Sequence, residues 1–267
     1  MFPKITFLLF GYEFNILTYS IFLGLGLLIF YYEFNKCSKT ISNKIDEINN
    51  VRLIITLSFI AGFLGGGLFI YFYYYGEIRL FRTFSVMPGF LFGVIFFILI
   101  LKYLNMGILK WSNALIPFWC YAHGWGRIGC FFAGCCFGVD TESSLGVRFQ
   151  SEFFKNAELE HKKFHATQIY EATVLFILGF VLKYRTRLMY RIPIFFVVYG
   201  LCRFFIELLR FQFNSNPFNL ADLSLSQLFS ILFIIIGFLY LLNRKLFKKT
   251  LPNVSPRSQP TSEKPRL

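Results

Sequence analysis

Long apolar runs recur along this chain, and they constrain its fold more than any other feature. A helix needs about 20 predominantly apolar residues to cross a hydrocarbon layer of roughly 30 Å, and seven stretches of the sequence come close to that length. Their approximate limits are residues 15–33, 53–75, 86–104, 114–134, 168–184, 192–209 and 224–243. Hydrophobic residues make up 56% of the 267 positions, which excludes an ordinary water-soluble domain. The sequence therefore predicts an all-α integral membrane protein with about seven transmembrane helices.

Basic residues are distributed unevenly between the two sets of loops. The loops after the first, third and fifth spans and the C-terminal tail together hold 17 of the 27 lysines and arginines, and the opposite loops hold eight. Because cytoplasmic loops are enriched in Lys and Arg, we predict that the N-terminus lies outside and the C-terminus lies in the cytoplasm. This topology and attraction to anionic membrane lipids account for the net charge of +13, so no nucleic-acid partner is predicted.

The chain divides into one membrane domain and a tail. Residues 1–245 contain all seven predicted spans, and an external loop at 140–165 is long enough to cover a site. Residues 246–267 are basic and rich in Pro and Ser, which predicts a disordered cytoplasmic tail.

Two of the arginines, Arg127 and Arg203, fall within or near the ends of predicted spans. An arginine at membrane depth costs about 2.5 to 3.5 kcal/mol on insertion scales unless it is paired or faces water. Such a residue indicates a functional site, although an internal ion pair that only orders the helices is the alternative.

Polar residues recur at helical spacing in three neighbouring spans. The stretch "YGLCRFFIELLR" places Tyr199, Arg203, Glu207 and Arg210 on one face of the sixth span. In the fourth span, His123 precedes Arg127 by one turn. In the fifth, "HATQIYE" spaces three polar residues at intervals of three, namely His165, Gln168 and Glu171. Together these stripes predict a polar cavity within the membrane that would bind an anionic phosphate headgroup through arginine.

Three blocks of sequence carry a family resemblance in their order and spacing. The chain is similar to bacterial prolipoprotein diacylglyceryl transferases in "GRIGCFFAGCCFG" (126–138), "HATQIYE" (165–171) and "YGLCRFFIELLR" (199–210). The resemblance extends over nearly the whole chain and includes the seven predicted spans and the outside N-terminus. It implies a multi-pass enzyme of the bacterial inner membrane.

The resemblance also implies the reaction and the residues that carry it. Such enzymes transfer the diacylglyceryl group of phosphatidylglycerol to the lipobox cysteine in the signal peptide of a prolipoprotein, and they release glycerol phosphate. Carried over by position, Arg127 and Arg203 would be catalytic and would bind the phosphate, with Tyr199 and Glu207 as neighbours. Substrate binding would further involve three polar residues of the same stripes, Gln168, Glu171 and Arg210. No cofactor is predicted.

The chain departs from the family pattern at several polar positions. The usual signature is Gly-Arg-x-Gly-Asn-Phe-x-Asn-Gly-Glu, and here Cys130, Ala133 and Cys135 stand at its Asn, Asn and Glu positions. Pro88 stands where the family has a histidine that is a candidate base. The chain therefore resembles a divergent, cysteine-containing branch, and we predict that His123 replaces the missing base. His165 and Tyr199 are weaker candidates for the base, and a backbone-bonded His123 with no catalytic role is the alternative.

Three cysteines follow Arg127 closely, with the spacing C-x4-C-C. This spacing differs from the C-x2-C pairs of zinc sites, so we predict no metal and interpret Cys130, Cys135 and Cys136 as small packing residues beside the glycines. An oxidised pair remains open. Other function classes also remain open: a family member with a changed acceptor, an inactive lipid-binding paralogue, an anion or lipid transporter and a membrane thiol redox protein.

Overall fold

Seven α-helices form the body of the protein in the computed structural model, which describes residues 4–9, 12–73, 86–149, 161–210 and 223–243. The helices are α1 (Thr18–Ile41), α2 (Ile45–Tyr73), α3 (Val86–Tyr103), α4 (Ile108–Ala133), α5 (Thr167–Tyr184), α6 (Arg191–Leu208) and α7 (Leu225–Leu242). Each predicted span overlaps one helix, so the prediction of a helical body is confirmed. The predicted tail at 246–267 lies outside the described residues.

A β-hairpin precedes the first helix, and the predicted all-α fold did not include it. Strands β1 (Lys4–Leu9) and β2 (Tyr12–Leu17) pair antiparallel, with Lys4 opposite Leu17 and Leu9 opposite Tyr12. The first predicted span began at residue 15, but 15–17 belong to β2. Residues 12–16 alternate between large apolar and polar side chains, and this period of two suits a strand. A search for apolar runs does not detect that alternation.

Fewer helices meet the length and hydropathy expected of a membrane span than the seven that we predicted. Among the described residues, two segments, Ile45–Phe69 and Leu188–Leu208, are long and apolar enough to cross a membrane, and Gly89–Tyr103 and Ser226–Leu242 are shorter apolar helices. Seven crossings and the orientation of the chain remain predictions.

Helix α4 lies at the centre of the helix packing, against α1, α5 and α6, while α2 packs on α3 and α6 on α7. One apolar core lies around the fully buried side chains of Phe34, Trp111 and Phe118, between α1, α2 and α4. A second core lies between α4, α5 and α6 and includes Leu175 and Phe195. These cores fix the rotation of α4, α5 and α6, the helices that carry the polar stripes.

Polar contacts join the helix ends at one end of the bundle. Lys110 Nζ lies 2.9 Å from Glu47 Oε1, and Lys183 forms an ion pair with Glu33. The side-chain oxygen of Asn113 accepts a hydrogen bond from the backbone N–H of Ile192 at 2.9 Å. The loops predicted to be cytoplasmic therefore gather at this end, and the "GRIGCFFAGCCFG" segment leads to the other.

The close approach of α1 to α4 predicts opposite effects for two neighbouring glycines. A Cβ atom added at Gly26 would lie 2.8 Å from the carbonyl oxygen of Ala122, whereas one added at Gly24 meets nothing within 4 Å. We expect Gly26→Ala to lower the free energy of unfolding by about 1 to 3 kcal/mol through overpacking. Gly24→Ala should leave it unchanged or raise it by up to about 1 kcal/mol, since alanine favours helix. Thermal unfolding of both purified variants in detergent measures this difference, and equal melting temperatures would contradict the α1–α4 contact.

Candidate functional site

Two buried carboxylates organise the polar residues of α4, α5 and α6. Glu171 of α5 is 2% exposed and meets groups from both neighbouring helices. Its Oε2 atom lies 3.0 Å from Arg127 Nε and 3.6 Å from Arg203 Nη1. Its Oε1 atom accepts a hydrogen bond from the hydroxyl of Tyr199 at 2.8 Å and lies 3.7 Å from His123 Nε2. Glu171 thus holds four of the predicted site residues around one carboxylate.

The second carboxylate, Glu207 of α6, joins the end of α6 to the start of α7. Its Oε2 atom lies 2.7 Å from Arg203 Nη2 and 3.4 Å from Arg210 Nη1. Its Oε1 atom accepts a hydrogen bond from the hydroxyl of Ser224 at 3.2 Å. Spacings of four and three residues on one helix bring these partners together, as the sequence predicted.

Arg203 connects the two carboxylates. One terminal nitrogen faces Glu171, and the other faces Glu207 and donates to the hydroxyl of Ser226 at 3.2 Å. The planar fork of a guanidinium makes this bridge possible, because its nitrogens point in fixed and different directions. Three arginines and two carboxylates leave the cluster with one formal positive charge, which favours an anionic ligand.

Several polar atoms in this cluster are buried without a hydrogen-bond partner among the described residues. They include His123 Nδ1 and Arg203 Nη1. Arg127 Nε is also among them, because its 3.0 Å approach to Glu171 Oε2 lacks the geometry of a hydrogen bond. Buried polar atoms in proteins are almost always hydrogen-bonded, and a bound ligand or water molecule would supply the partner here.

A tight turn ends α4 and returns the chain toward this cluster. The N–H of Cys135 donates to the carbonyl of Cys130, and the N–H of Gly134 donates to that of Phe131, both at 3.1 Å. With Gly134 at φ 70°, this pattern is a Schellman motif. Cys136 follows at φ 63°, a left-handed conformation that is rare for residues other than glycine.

The start of α5 fixes this turn in place. The side-chain amide of Gln168 donates to the carbonyl of Cys135, and the hydroxyl of Thr167 donates to the carbonyl of Cys136 at 2.8 Å. Farther along, the N–H groups of Gly138 and Val139 donate to the carbonyls of His165 and Leu209, each at 2.8 Å. The segment after Arg127 is therefore attached to both α5 and α6.

Comparison with known proteins decides the family. The sequence model of the prolipoprotein diacylglyceryl transferases matches residues 5–243. The chain belongs to this family. It is 31% identical over 260 residues to the phosphatidylglycerol–prolipoprotein diacylglyceryl transferase of Clostridium tetani, covering 92% of this chain and 98% of the relative. It is 30% identical over 242 residues to phosphatidylglycerol–prolipoprotein diacylglyceryl transferase 2 of Clostridium perfringens, covering 86% and 91% of the two chains.

Family membership makes the protein a membrane enzyme of the diacylglyceryl transferase type.

The structure brings most of the predicted site residues together. The members in contact through the two carboxylates are His123, Arg127, Glu171, Tyr199, Arg203, Glu207 and Arg210. Gln168 lies beside them but bonds the Cys135 carbonyl. His165 lies outside the cluster, just before α5, where its Nδ1 atom is 3.2 Å from the Tyr170 hydroxyl. The side chain of Pro88 is outside the described residues.

The predicted external loop is anchored at both of its ends. The backbone of Phe164 pairs with Asp140 and Val147, and Phe137, Phe149 and Phe164 form a small apolar core. Residues 150–160 lie outside the described part of this family member.

Sequence analysis missed two serines that contact the arginine cluster. Ser224 caps α7 by accepting from the N–H of Gln227, whose side chain in turn accepts from the N–H of Ser224. The sequence Ser224-Leu-Ser226-Gln227 is the pattern of such a capping box, and it would have located the start of α7 and hence both hydroxyls.

Proposed function

We propose that this protein transfers the diacylglyceryl group of phosphatidylglycerol to the lipobox cysteine of prolipoproteins and releases glycerol phosphate. It would act as a multi-pass protein of the bacterial inner membrane, with seven spans, the N-terminus outside and the C-terminus in the cytoplasm. The observation that carries this proposal is the arginine–carboxylate cluster in a chain that belongs to the diacylglyceryl transferase family. Anionic lipids and the signal peptides of exported proteins would be its partners in the membrane.

The charge of the cluster suits both the donor lipid and the leaving group. The phosphodiester of phosphatidylglycerol carries one negative charge, which matches the net positive charge of three arginines and two carboxylates. When the bond between the glyceryl carbon and the phosphate oxygen breaks, the phosphate gains a second negative charge. Arg127 and Arg203 would stabilise that charge, because fixed donors aimed at developing charge act most strongly in a site sheltered from water.

The two carboxylates would act on the arginines rather than on the lipid. Glu171 and Glu207 face guanidinium groups, and a carboxylate repels a phosphate. We therefore assign them, with Arg210, to positioning Arg127 and Arg203, and we assign Gln168 to holding the turn after α4.

His123 is the best placed of the candidate bases. The Tyr199 hydroxyl already donates to Glu171 at 2.8 Å, whereas His123 Nδ1 is buried and has no partner among the described residues. The ring of His123 lies between those of Trp119 and Tyr199, with centroids 5.9 and 5.8 Å away. These contacts orient an imidazole that would accept the proton of the acceptor thiol, directly or through one water molecule.

Removing this imidazole should slow transfer without loss of the fold. We expect His123→Gln to lower the transfer rate by roughly 10²-fold, the usual scale of general-base catalysis. The remaining rate should keep rising with pH as the thiol ionises unaided, whereas the wild-type rate levels off earlier. The measurement is a pH–rate profile in detergent with a lipobox peptide and phosphatidylglycerol. Tyr199→Phe is the comparison variant, and superimposable wild-type and His123→Gln profiles would remove His123 from the mechanism.

Complementation tests the proposed activity itself. A bacterial strain depleted of its own diacylglyceryl transferase would express this chain, and mass spectrometry would determine the N-terminus of a reporter lipoprotein. We expect the mass of a diacylglyceryl thioether on the lipobox cysteine in cells that express the wild-type chain, and its absence with an empty vector. An unmodified reporter in cells with normal amounts of the membrane-inserted protein would reject this acceptor.

A further inference from the structure

Three thiols meet at the end of α4. The sulfur atoms of Cys130, Cys135 and Cys136 all lie within 4.8 Å of one another, and the described residues place no disulfide among them. The Schellman motif explains the first contact, since it brings the side chains at its first and last positions, here Cys130 and Cys135, against each other. The left-handed backbone of Cys136 directs the third thiol to the same place.

The turn would hold these thiols whether or not they bind anything, because its backbone is fixed from α5. The side chains of Thr167 and Gln168 donate to the backbone carbonyls of Cys136 and Cys135, so these two bonds leave the sulfur atoms uninvolved. A left-handed residue other than glycine costs on the order of 1 kcal/mol or more, and such strain concentrates at functional sites. The expectation of packing alone, with no metal, rested on the difference between the spacing C-x4-C-C and the C-x2-C pairs of zinc sites, which does not take this turn into account.

A group of three thiols has the donor set of a thiophilic metal ion. Zinc binds thiolates at about 2.3 Å, so three sulfur atoms around one ion stand about 4 Å apart, which small side-chain rotations would reach from the observed separations. Three thiolates and Zn²⁺ carry a net charge of −1, and two arginines lie nearby: Arg127 precedes Cys130 by three residues on α4, and the backbone of Arg210 pairs with Gly138 just after the turn. The positive charge of the two arginines would offset the net negative charge of the zinc site.

The number and exposure of the ligands indicate how such an ion would be used. Structural zinc sites are closed by four protein ligands, whereas sites with three protein ligands keep a position for substrate. Cys130 is buried, Cys136 is partly buried and Cys135 is exposed, so one side of the cluster faces outward. A fourth ligand would approach from the side of Cys135.

We propose that Cys130, Cys135 and Cys136 bind one Zn²⁺ ion through their thiolates, and that the acceptor thiol occupies its fourth position. This inference rests on the proposed function for the identity of the acceptor, but not for the metal site itself. Coordination by zinc deprotonates a thiol while leaving it nucleophilic, so the site would prepare the acceptor for transfer.

The proposed step is a nucleophilic substitution at the glyceryl carbon. The acceptor thiol binds Zn²⁺ through sulfur, and its proton passes to His123, the base proposed above, through water. A sulfur electron pair then forms a bond to the glyceryl carbon, and the bond between that carbon and the phosphate oxygen breaks. The bonding electrons leave with glycerol phosphate, the thioether leaves the metal, and no oxidant or reductant takes part.

Metal analysis of three proteins tests the site independently of activity. The wild-type chain, a Cys130→Ala/Cys135→Ala/Cys136→Ala variant and a Cys37→Ala/Cys120→Ala/Cys202→Ala control would be purified under reducing conditions, incubated with Zn²⁺ and dialysed. We expect about one zinc per chain in the wild type and the control, and less than one-tenth of that in the cluster variant. Cys135→Ser, at an exposed position, is a milder variant, and it should weaken zinc binding by 10-fold or more while preserving the fold.

Spectroscopy with a substrate peptide tests the fourth position. Co²⁺ would replace Zn²⁺, and the sulfur-to-cobalt charge-transfer band would be followed as a lipobox peptide is added. We expect the band to grow by about a third with the cysteine peptide, as three cobalt–sulfur bonds become four, and to stay unchanged with the peptide that has serine in its place. No growth with the cysteine peptide would overturn the assignment of the acceptor.

The outcomes separate this inference from the proposed function. Zinc-free wild-type protein, a disulfide between Cys130 and Cys135 that persists under reducing conditions, or full transfer by the zinc-free cluster variant would overturn the zinc inference and leave the proposed function standing. Stoichiometric zinc in a chain that fails complementation would reject the proposed function and retain the metal site.

Discussion

Replacing Arg203 by lysine should lower the transfer rate by about 10³-fold or more, although the positive charge is kept. Lysine carries one terminal nitrogen on a flexible chain and cannot face Glu171 and Glu207 at once, as the Arg203 guanidinium does. The two carboxylates would then lose their common partner, and the phosphate would lose a fixed donor. The measurement is the rate of transfer from phosphatidylglycerol to a lipobox peptide by purified protein at saturating lipid.

A second arginine supplies the control for this substitution. Arg52 also uses two nitrogens, bonding the side-chain oxygens of Asn35 and Asn49 at 2.9 Å each, but it lies near the start of α2, away from the cluster. Arg52→Lys should therefore transfer at close to the wild-type rate. Equal rates for Arg203→Lys and Arg52→Lys, with normal folding of both, would mean that Arg203 only orders the helices and does not serve the reaction.

Removing the charge of Glu171 should affect both stability and activity. In Glu171→Gln, Arg127 and Arg203 lose the carboxylate that they share, and the loss of one partner from a buried ion pair costs about 3 to 5 kcal/mol. The amide also offers one oxygen instead of two to Tyr199 and the arginines. We expect a lower melting temperature and a transfer rate reduced by about 10²-fold or more, since misplaced donors stabilise the leaving phosphate poorly.

The ion pair at the other end of the bundle distinguishes these two effects. Glu33 pairs with Lys183 and is largely buried, so Glu33→Gln should also lower the melting temperature. Lys183, the partner of Glu33, lies 12 positions after Glu171 on α5, so this ion pair is remote from the arginine cluster. The Glu33→Gln variant should therefore retain most of the transfer rate at temperatures below unfolding. If both variants lose activity in proportion to their stability, Glu171 has no positioning role beyond holding the fold.

The sequence predicted those contacts that lie within one helix. Arg203 and Glu207 are four residues apart on α6, so their ion pair follows from helical geometry alone. The contacts of Glu171 with residues of α4 and α6 could not be predicted in this way. They depend on how α4 and α6 are rotated against α5, and the apolar cores determine that rotation. Helix capping would have revealed Ser224, a signal that a search for apolar runs does not use.

Two local features were missed because each depends on where a helix begins or ends. The first span was predicted from residue 15, yet residues 15–17 belong to β2, in which the polar residues Glu13 and Asn15 alternate with apolar ones. The cysteines were interpreted from their spacing in the sequence, yet α4 ends at Ala133 and the turn at Gly134 brings Cys135 back beside Cys130. In both cases the backbone conformation changes at a position that neither a search for apolar runs nor a cysteine spacing marks.

The shared carboxylate of Glu171 also constrains how the chain enters the membrane. Arg127 and His123 on α4 are synthesised before Glu171, which follows Arg127 by 44 positions, and Arg203 comes later still. In the proposed seven-span topology, α4 holds an unneutralised arginine until α5 arrives, and that charge is costly to leave among lipid tails. We therefore expect α4 to stay beside the insertion machinery and to enter the bilayer together with α5 and α6. Chains truncated between α4 and α5 should accordingly be poorly integrated and readily extracted from the membrane.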